Sequence, residues 1–150
     1  MKSTWLLILV AFLASCNLYK DVEVREVKDV RLSEFGSDGL KAEVDVVVNN
    51  PNAFNVKVTD SDLDVAINGT DVGKVKLGET VILNKKSAGQ YTLRFSADYD
   101  DLSPKFIQSL ITLLFLNHAE FSASGFVKGR ALFVAKKVKV DVKERVNLRE

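Results

Sequence analysis

Asp60, Asp62 and Asp64 are the first residues whose type and spacing could do chemistry, because oxygen donors two positions apart open a calcium-binding loop. The pattern stops there. Its sixth position is Val65, where such a loop needs glycine, and its twelfth is Asp71, where it needs a bidentate glutamate. A solvated strand face produces the same spacing. His118 is the single histidine and follows an apolar helix-like run, where an imidazolium would favour the negative helix end. For catalysis it would need a nucleophile in a recognisable setting, and no serine elbow, phosphate-binding glycine loop or metal-ligand cluster occurs. Asn68-Gly69-Thr70 fits a glycosylation acceptor, yet a tight hairpin turn requires the same residues. No catalytic residue, metal or other cofactor is therefore expected, which leaves Cys16. It is the only cysteine, so no intrachain disulfide can form.

What precedes Cys16 gives it meaning. Lys2 supplies a positive start, Trp5 to Leu13 are uninterruptedly apolar, and Ala14 and Ser15 are small. This is the layout of a secretory signal, too short for a membrane span of about 20 apolar residues. Leu13-Ala14-Ser15-Cys16 resembles the lipobox of bacterial lipoproteins. The resemblance implies cleavage between Ser15 and Cys16 and acylation of the thiol and the new amine. Several acyl chains would then hold the chain at a membrane, at roughly 0.8 kcal/mol per buried methylene. Asn17 stands where an aspartate would, in enteric-type sorting, retain such a protein at the inner membrane. The expected location is the cell envelope: the outer membrane, on its periplasmic side, or the cell surface.

With 150 residues, nearly half of them apolar, the chain suits one domain with a real core. Lysine plus arginine (21) balances aspartate plus glutamate (20), and the charges are interspersed along the sequence. No basic block points to nucleic acid. Lys2 is the one charged residue of the first fifteen, so the remainder carries equal numbers of acids and bases and offers no polybasic run to help the acyl chains. The expected organisation is a signal at 1–15, a lipidated tether at 16–21 and a folded domain at 22–150.

The elements follow from periodicity. Val22, Val24, Val27 and Val30 alternate irregularly, as in an edge strand with a bulge, whereas Leu40 to Val48 alternate strictly. Asn49-Asn50-Pro51-Asn52 ends that strand. Phe54, Val56 and Val58 start another, resumed at Leu63, Val65 and Ile67 and closed by the Asn68-Gly69 turn. Val72, Val75 and Leu77 return with a bulge at Gly73; Val81 to Leu83 are short; Tyr91 to Tyr99 alternate again. Ser103 as cap and Pro104 as first residue open a helix to about Leu116, apolar on most of its circumference. Two last strands cover Phe121 to Val127 and Val138 to Val142, joined at Lys136-Lys137 or turned at Lys128-Gly129-Arg130. The fold class expected is mainly β, an antiparallel sandwich of about seven strands with one α-helix at about 104–116.

The order of these elements, with Asn50-Pro51-Asn52 and the Asn68-Gly69 hairpin as its markers, resembles the LEA type 2 family, the LEA14-like or WHy domain, over roughly residues 25–146. The resemblance implies an immunoglobulin-like or fibronectin III-like sandwich, no cofactor, no catalytic residues and a link to desiccation and other stress. Partners then expected are membrane surfaces, client proteins or an envelope protein. The helix leaves a choice: it closes the sandwich and its leucines fill the core, or it lines a groove for a hydrophobic small molecule. Filling is the expected outcome, because a small domain needs every buried leucine.

Overall fold

Residues 19–113 and 115–147 are described by the computed structural model. Cys16 and Ser15 lie outside them. Among the described residues eight strands and one α-helix occur: β1 (Glu23–Gly36), β2 (Gly39–Asn50), β3 (Val56–Ile67), β4 (Thr70–Leu77), β5 (Val81–Leu83), β6 (Ser87–Ala97), α1 (Pro104–Leu113), β7 (His118–Ala131) and β8 (Val134–Asn147). All pairings are antiparallel, in the order β1-β2-β6-β4-β3-β7-β8, with β5 beside the start of β3. The sandwich is thus one sheet curled on itself, with two layers joined through β4. That strand pairs with β3 along Leu63–Ile67 and then reaches β6 at Lys76 and Leu77.

Local chemistry accounts for the register. Along β2, Val44, Val46 and Val48 are buried while Lys41 is exposed, the period of two expected of a half-buried strand. The irregular valines of β1 reflect register shifts at Val24/Glu26, Val27/Asp29 and Leu32/Glu34, which also blunt this edge against pairing with other chains. In β3 the change of phase between Val58 and Leu63 is a bulge between Val58 and Asp60, not a break: Ser61 turns inward in place of Asp60. Asn68 (φ 51) and Gly69 (φ 76) both take the left-handed region that a type I′ hairpin needs. Asn68 does more than turn. Its N–H donates to the Glu120 carbonyl and its Oδ1 accepts the Glu120 N–H, both at 2.8 Å, fastening the hairpin to β7.

Two apolar clusters hold the layers together at opposite ends. One gathers Leu40, Val72, Leu102 and Phe106 beneath α1; the other gathers Val46, Val48, Val56 and Leu83, with Tyr19 and Phe54 against it.

Three boundaries differ from expectation. The helix ends at Leu113, and Phe115 lies exposed beyond it in a turn closed by its N–H on the Thr112 carbonyl at 3.1 Å. Tyr99 sits in a 3₁₀ turn after β6 and is largely exposed, not on the strand. The connection between β7 and β8 falls at neither basic site: Ala131 pairs with Val134, leaving Leu132 and Phe133 as the turn. Turn chemistry favours small and polar residues, so two large apolar ones hid it.

Gly73 (φ 122) lies where β4 passes under the chain that leads into α1; an added Cβ would stand 2.1 Å from the Asp101 carbonyl oxygen. We expect Gly73→Ala to push Leu102 and the helix off β4 and to cost about 2–3 kcal/mol in urea unfolding. A change under about 0.5 kcal/mol would refute this close approach.

Candidate functional site

Inward side chains of both layers meet in the two clusters, with Phe95 packed against both. They line a cavity of about 680 Å³ that runs nearly the length of the strands, walled by Val44, Val46 and Val48 of β2, Val65 of β3, Leu93 of β6 and Val140 of β8. The physical reason lies in side-chain size. Valine and alanine suit extended backbone but are short, and layers about 10 Å apart need longer residues to interdigitate. Large side chains concentrate at the ends, Phe106 and Leu102 at one, Tyr19 and Phe54 at the other. As expected, α1 closes one end, with Phe106 buried in the core cluster and Ile107 and Leu110 packed against it; the cavity lies beyond. Ser61 brings one hydroxyl to the lining, and it is engaged, accepting the Leu77 N–H at 2.8 Å.

The cavity reaches solvent along the seam between β1 and β8, the two ends of the strand order. Val24 and Leu32 line it and are 54% and 46% exposed. At the end away from the helix Lys136 crosses the seam. Its Nζ lies 3.8 Å from Asp21 Oδ1 and 5.1 Å from the centre of the Tyr19 ring. Burial, and secondarily Asp21, raise the Tyr19 phenol above its ordinary value, so it stays neutral there.

Asn50-Pro51-Asn52 sits at this same end and is structural in an unexpected way. Asn50 and Asn52 are the most completely buried large side chains among the described residues, at 1% and 2% exposure. Asn50 Nδ2 donates to the carbonyls of Phe54 (3.0 Å) and Leu83 (3.1 Å). Its Oδ1 accepts from the N–H and the Nδ2 of Asn52, at 3.1 and 2.9 Å. Asn52 in turn brackets Lys20: its Nδ2 donates to the Lys20 carbonyl and its Oδ1 accepts the Lys20 N–H, both at 2.7 Å. The Asn52 carbonyl accepts the Lys86 N–H at 2.8 Å. Two amides thus join the end of β2, the end of β5, the turn before β6 and the chain arriving from Cys16. Of the segment expected as a tether, Tyr19 to Asp21 are docked on the domain.

The remaining candidates are surface features. Asp62 and Asp64 are shared by Lys74 Nζ at 3.2 and 3.8 Å, and Asp60 Oδ1 accepts the Ser61 N–H at the bulge. No cluster of metal-ligating groups occurs among the described residues. His118 opens β7, exposed, opposite Asn147. On the outer face Arg31 ties β1 to β2 through Asp29, Asp45 (2.7 Å) and Glu43 (3.4 Å); Thr92 donates to Asp45 at 2.6 Å, and Arg94 joins Glu43 to Glu79. Hydrogen bonds from Arg31 and Thr92 lower the Asp45 pKa, and those from Arg94 and Arg31 lower that of Glu43. Sequence reasoning had no signal for the seam, since β1 and β8 stand at opposite ends of the chain.

The chain is thus a curled antiparallel sandwich with an apolar interior, one helix at one end and a polar latch at the other. The model of the late embryogenesis abundant protein family matches residues 45–146, and the chain belongs to that family. A solution structure from Arabidopsis thaliana aligns with a TM-score of 0.52 at 16% identity, covering 89% of this chain and 87% of its own. A crystal structure from Archaeoglobus fulgidus aligns at 0.47 and 11% identity, covering 87% of this chain and 98% of its own. A putative late embryogenesis abundant protein aligns at 0.37 and 11% identity, over 91% of this chain and 77% of its own. No curated protein gives a significant match.

Two outcomes follow. Asn50→Asp keeps the size but cannot donate to the Phe54 and Leu83 carbonyls, so we expect a loss of about 3 kcal/mol in chemical denaturation; a loss below about 1 kcal/mol would show that the latch contributes little. The lowered pKa values of Asp45 and Glu43 mean that their stabilisation is fully present above the ordinary carboxylate values of 3.8 and 4.5 and is lost as pH falls through the lower folded values. The denaturation midpoint of Arg31→Gln should therefore fall less on acidification below about pH 4.5 than that of the native chain, and parallel curves would contradict this.

Proposed function

We propose that this chain is a non-catalytic protein of the cell envelope, held to a membrane by acyl chains on Cys16, that binds a long-chain amphiphile inside its sandwich as part of a stress-protective role of the late embryogenesis abundant kind. The single observation that carries the reading is the 680 Å³ apolar cavity with its apolar slit between β1 and β8. Ligand pockets commonly span about 300–1,000 Å³. An acyl chain suits this elongated space better than a ring system. The inward residues of β2 from Leu40 to Val48 span about 26 Å at roughly 3.3 Å per residue, against the ~15 Å that one leaflet contributes to a ~30 Å hydrocarbon core. Each methylene moved from water into the cavity contributes roughly 0.8 kcal/mol before the costs of ordering.

The anchor rests on the sequence: a charged start, an apolar run, small residues and Cys16. Asn17 favours the outer membrane, on its periplasmic side, or the cell surface. The non-catalytic reading rests on family membership and on the absence of a credible acid, base and nucleophile constellation in the sequence.

Native mass spectrometry of the chain extracted from membranes tests the reading. We expect a bound mass of fatty-acid or lysolipid size, released by organic solvent. Val46→Phe, which adds volume to a wall residue, should lower the retained fraction about ten-fold or more while leaving stability equal or higher, because it fills space that is otherwise empty. A ligand-free native chain, or a Val46→Phe protein destabilised as an overpacked core would be, sinks the proposal.

A further inference from the structure

The β7–β8 hairpin ends in three consecutive exposed apolar residues: Leu132 is 70% exposed, Phe133 102% and Val134 68%. Leu132 holds φ 53 and Phe133 does not share it, so Leu132 occupies the first turn position of a type II′ hairpin, where glycine is normally required. A large apolar side chain kept at a glycine position, on a tip that touches nothing, is a local rule broken without structural gain. What surrounds the tip gives the reason. Lys20, bonded to Asn52, Lys85, whose N–H donates to Asn55 Oδ1 at 2.9 Å, Lys86, Arg130 and Lys136 all lie at this end of the sandwich. The acids there are Asp21, which faces Lys136, and Glu23. Asp71, Asp98, Asp100 and Asp101 stand at the opposite end, beside the β3–β4 turn and the start of α1. Bases are thus in excess at the hairpin pole and acids at the other, where Lys105, Lys143 and Arg145 also stand.

We propose that the Leu132-Phe133-Val134 tip and its basic collar form a docking surface for a membrane carrying anionic phospholipid. Charge complementarity names the partner, since lysines near an anionic leaflet attract it while apolar tip residues enter the headgroup region. The sequence agrees: Tyr19, against Lys136, is three residues from Cys16, a reach of at most about 11 Å of extended backbone. Docking stands the strands upright on the bilayer, with the β1–β8 slit rising from the lipid surface. The surface acts whether or not Cys16 is acylated, so its failure would leave the cavity reading untouched.

The test uses the full chain carrying Cys16→Ser, which removes acylation, with vesicles of phosphatidylcholine alone or with a minority of phosphatidylglycerol. Cosedimentation should occur with the mixed vesicles and weaken with salt. Leu132→Ser with Phe133→Ser should reduce it about ten-fold, and Arg130→Glu or Lys85→Glu about five-fold each. Phe133→Trp, a change at a fully exposed position, gives a second readout: its fluorescence should shift to the blue on mixed vesicles and be quenched by bromine-labelled lipid. Equal binding by the serine variant, no binding by the native domain, or an unshifted tryptophan would overturn the proposal. So would self-association abolished by the serine variant, which would make the tip a contact between copies.

Discussion

The fold depends on tying two β layers together at both ends, by apolar packing at one and by two buried amides at the other. At the helix end Phe106 and Leu102 wedge between β2, β4 and the chain leaving β6. At the other end Asn50 and Asn52 do the work with hydrogen bonds instead of volume, and each of their buried polar atoms is partnered. A buried amide pair with every bond made specifies one arrangement, because a shifted strand would strand a donor or an acceptor in an apolar setting. The cavity persists because its two ends are fixed independently, and the valine walls between them are too short to close it.

The same latch relates the interior to whatever lies outside. By bracketing Lys20, Asn52 fixes where the chain from Cys16 meets the domain, and Lys136 places β8 beside it. The pole that receives the tether is also the basic pole and the one from which the apolar hairpin projects. Strand placement thus converges, on a region built from backbone carbonyls and two amides, with the proposed binding and anchoring. The helix serves the opposite pole, where it closes the cavity away from the tether.

Much of the fold was legible in the sequence because it is local. Strict alternation from Leu40 to Val48 became β2, the irregular valines became the bulged edge β1, and Asn68-Gly69 became the hairpin with both residues left-handed. Asn50-Pro51-Asn52 was legible as a strand end and a family marker, but not as a latch, since its partners Lys20 and Leu83 lie more than thirty positions away. The cavity was illegible for a different reason: hydrophobic pattern tells which face turns inward, while the space left between two faces depends on layer separation. The turn at Leu132 and Phe133 was missed because it violates the turn chemistry used to find it. The basic pole was missed because its bases come from three separate segments, the chain before β1, the turn before β6 and the β7–β8 hairpin, which only topology collects.

The central claim is that the space between the layers belongs to a ligand. Isotope-filtered nuclear Overhauser spectroscopy of the methyl-labelled domain with a carbon-13 fatty acid addresses it at atomic level. Cross-peaks from acyl methylenes to methyls of Val46, Val65 and Val140 together are expected. Direct methyl contacts between Val46 and Val140 across a collapsed interior, with acyl signals only at surface residues, would contradict the account.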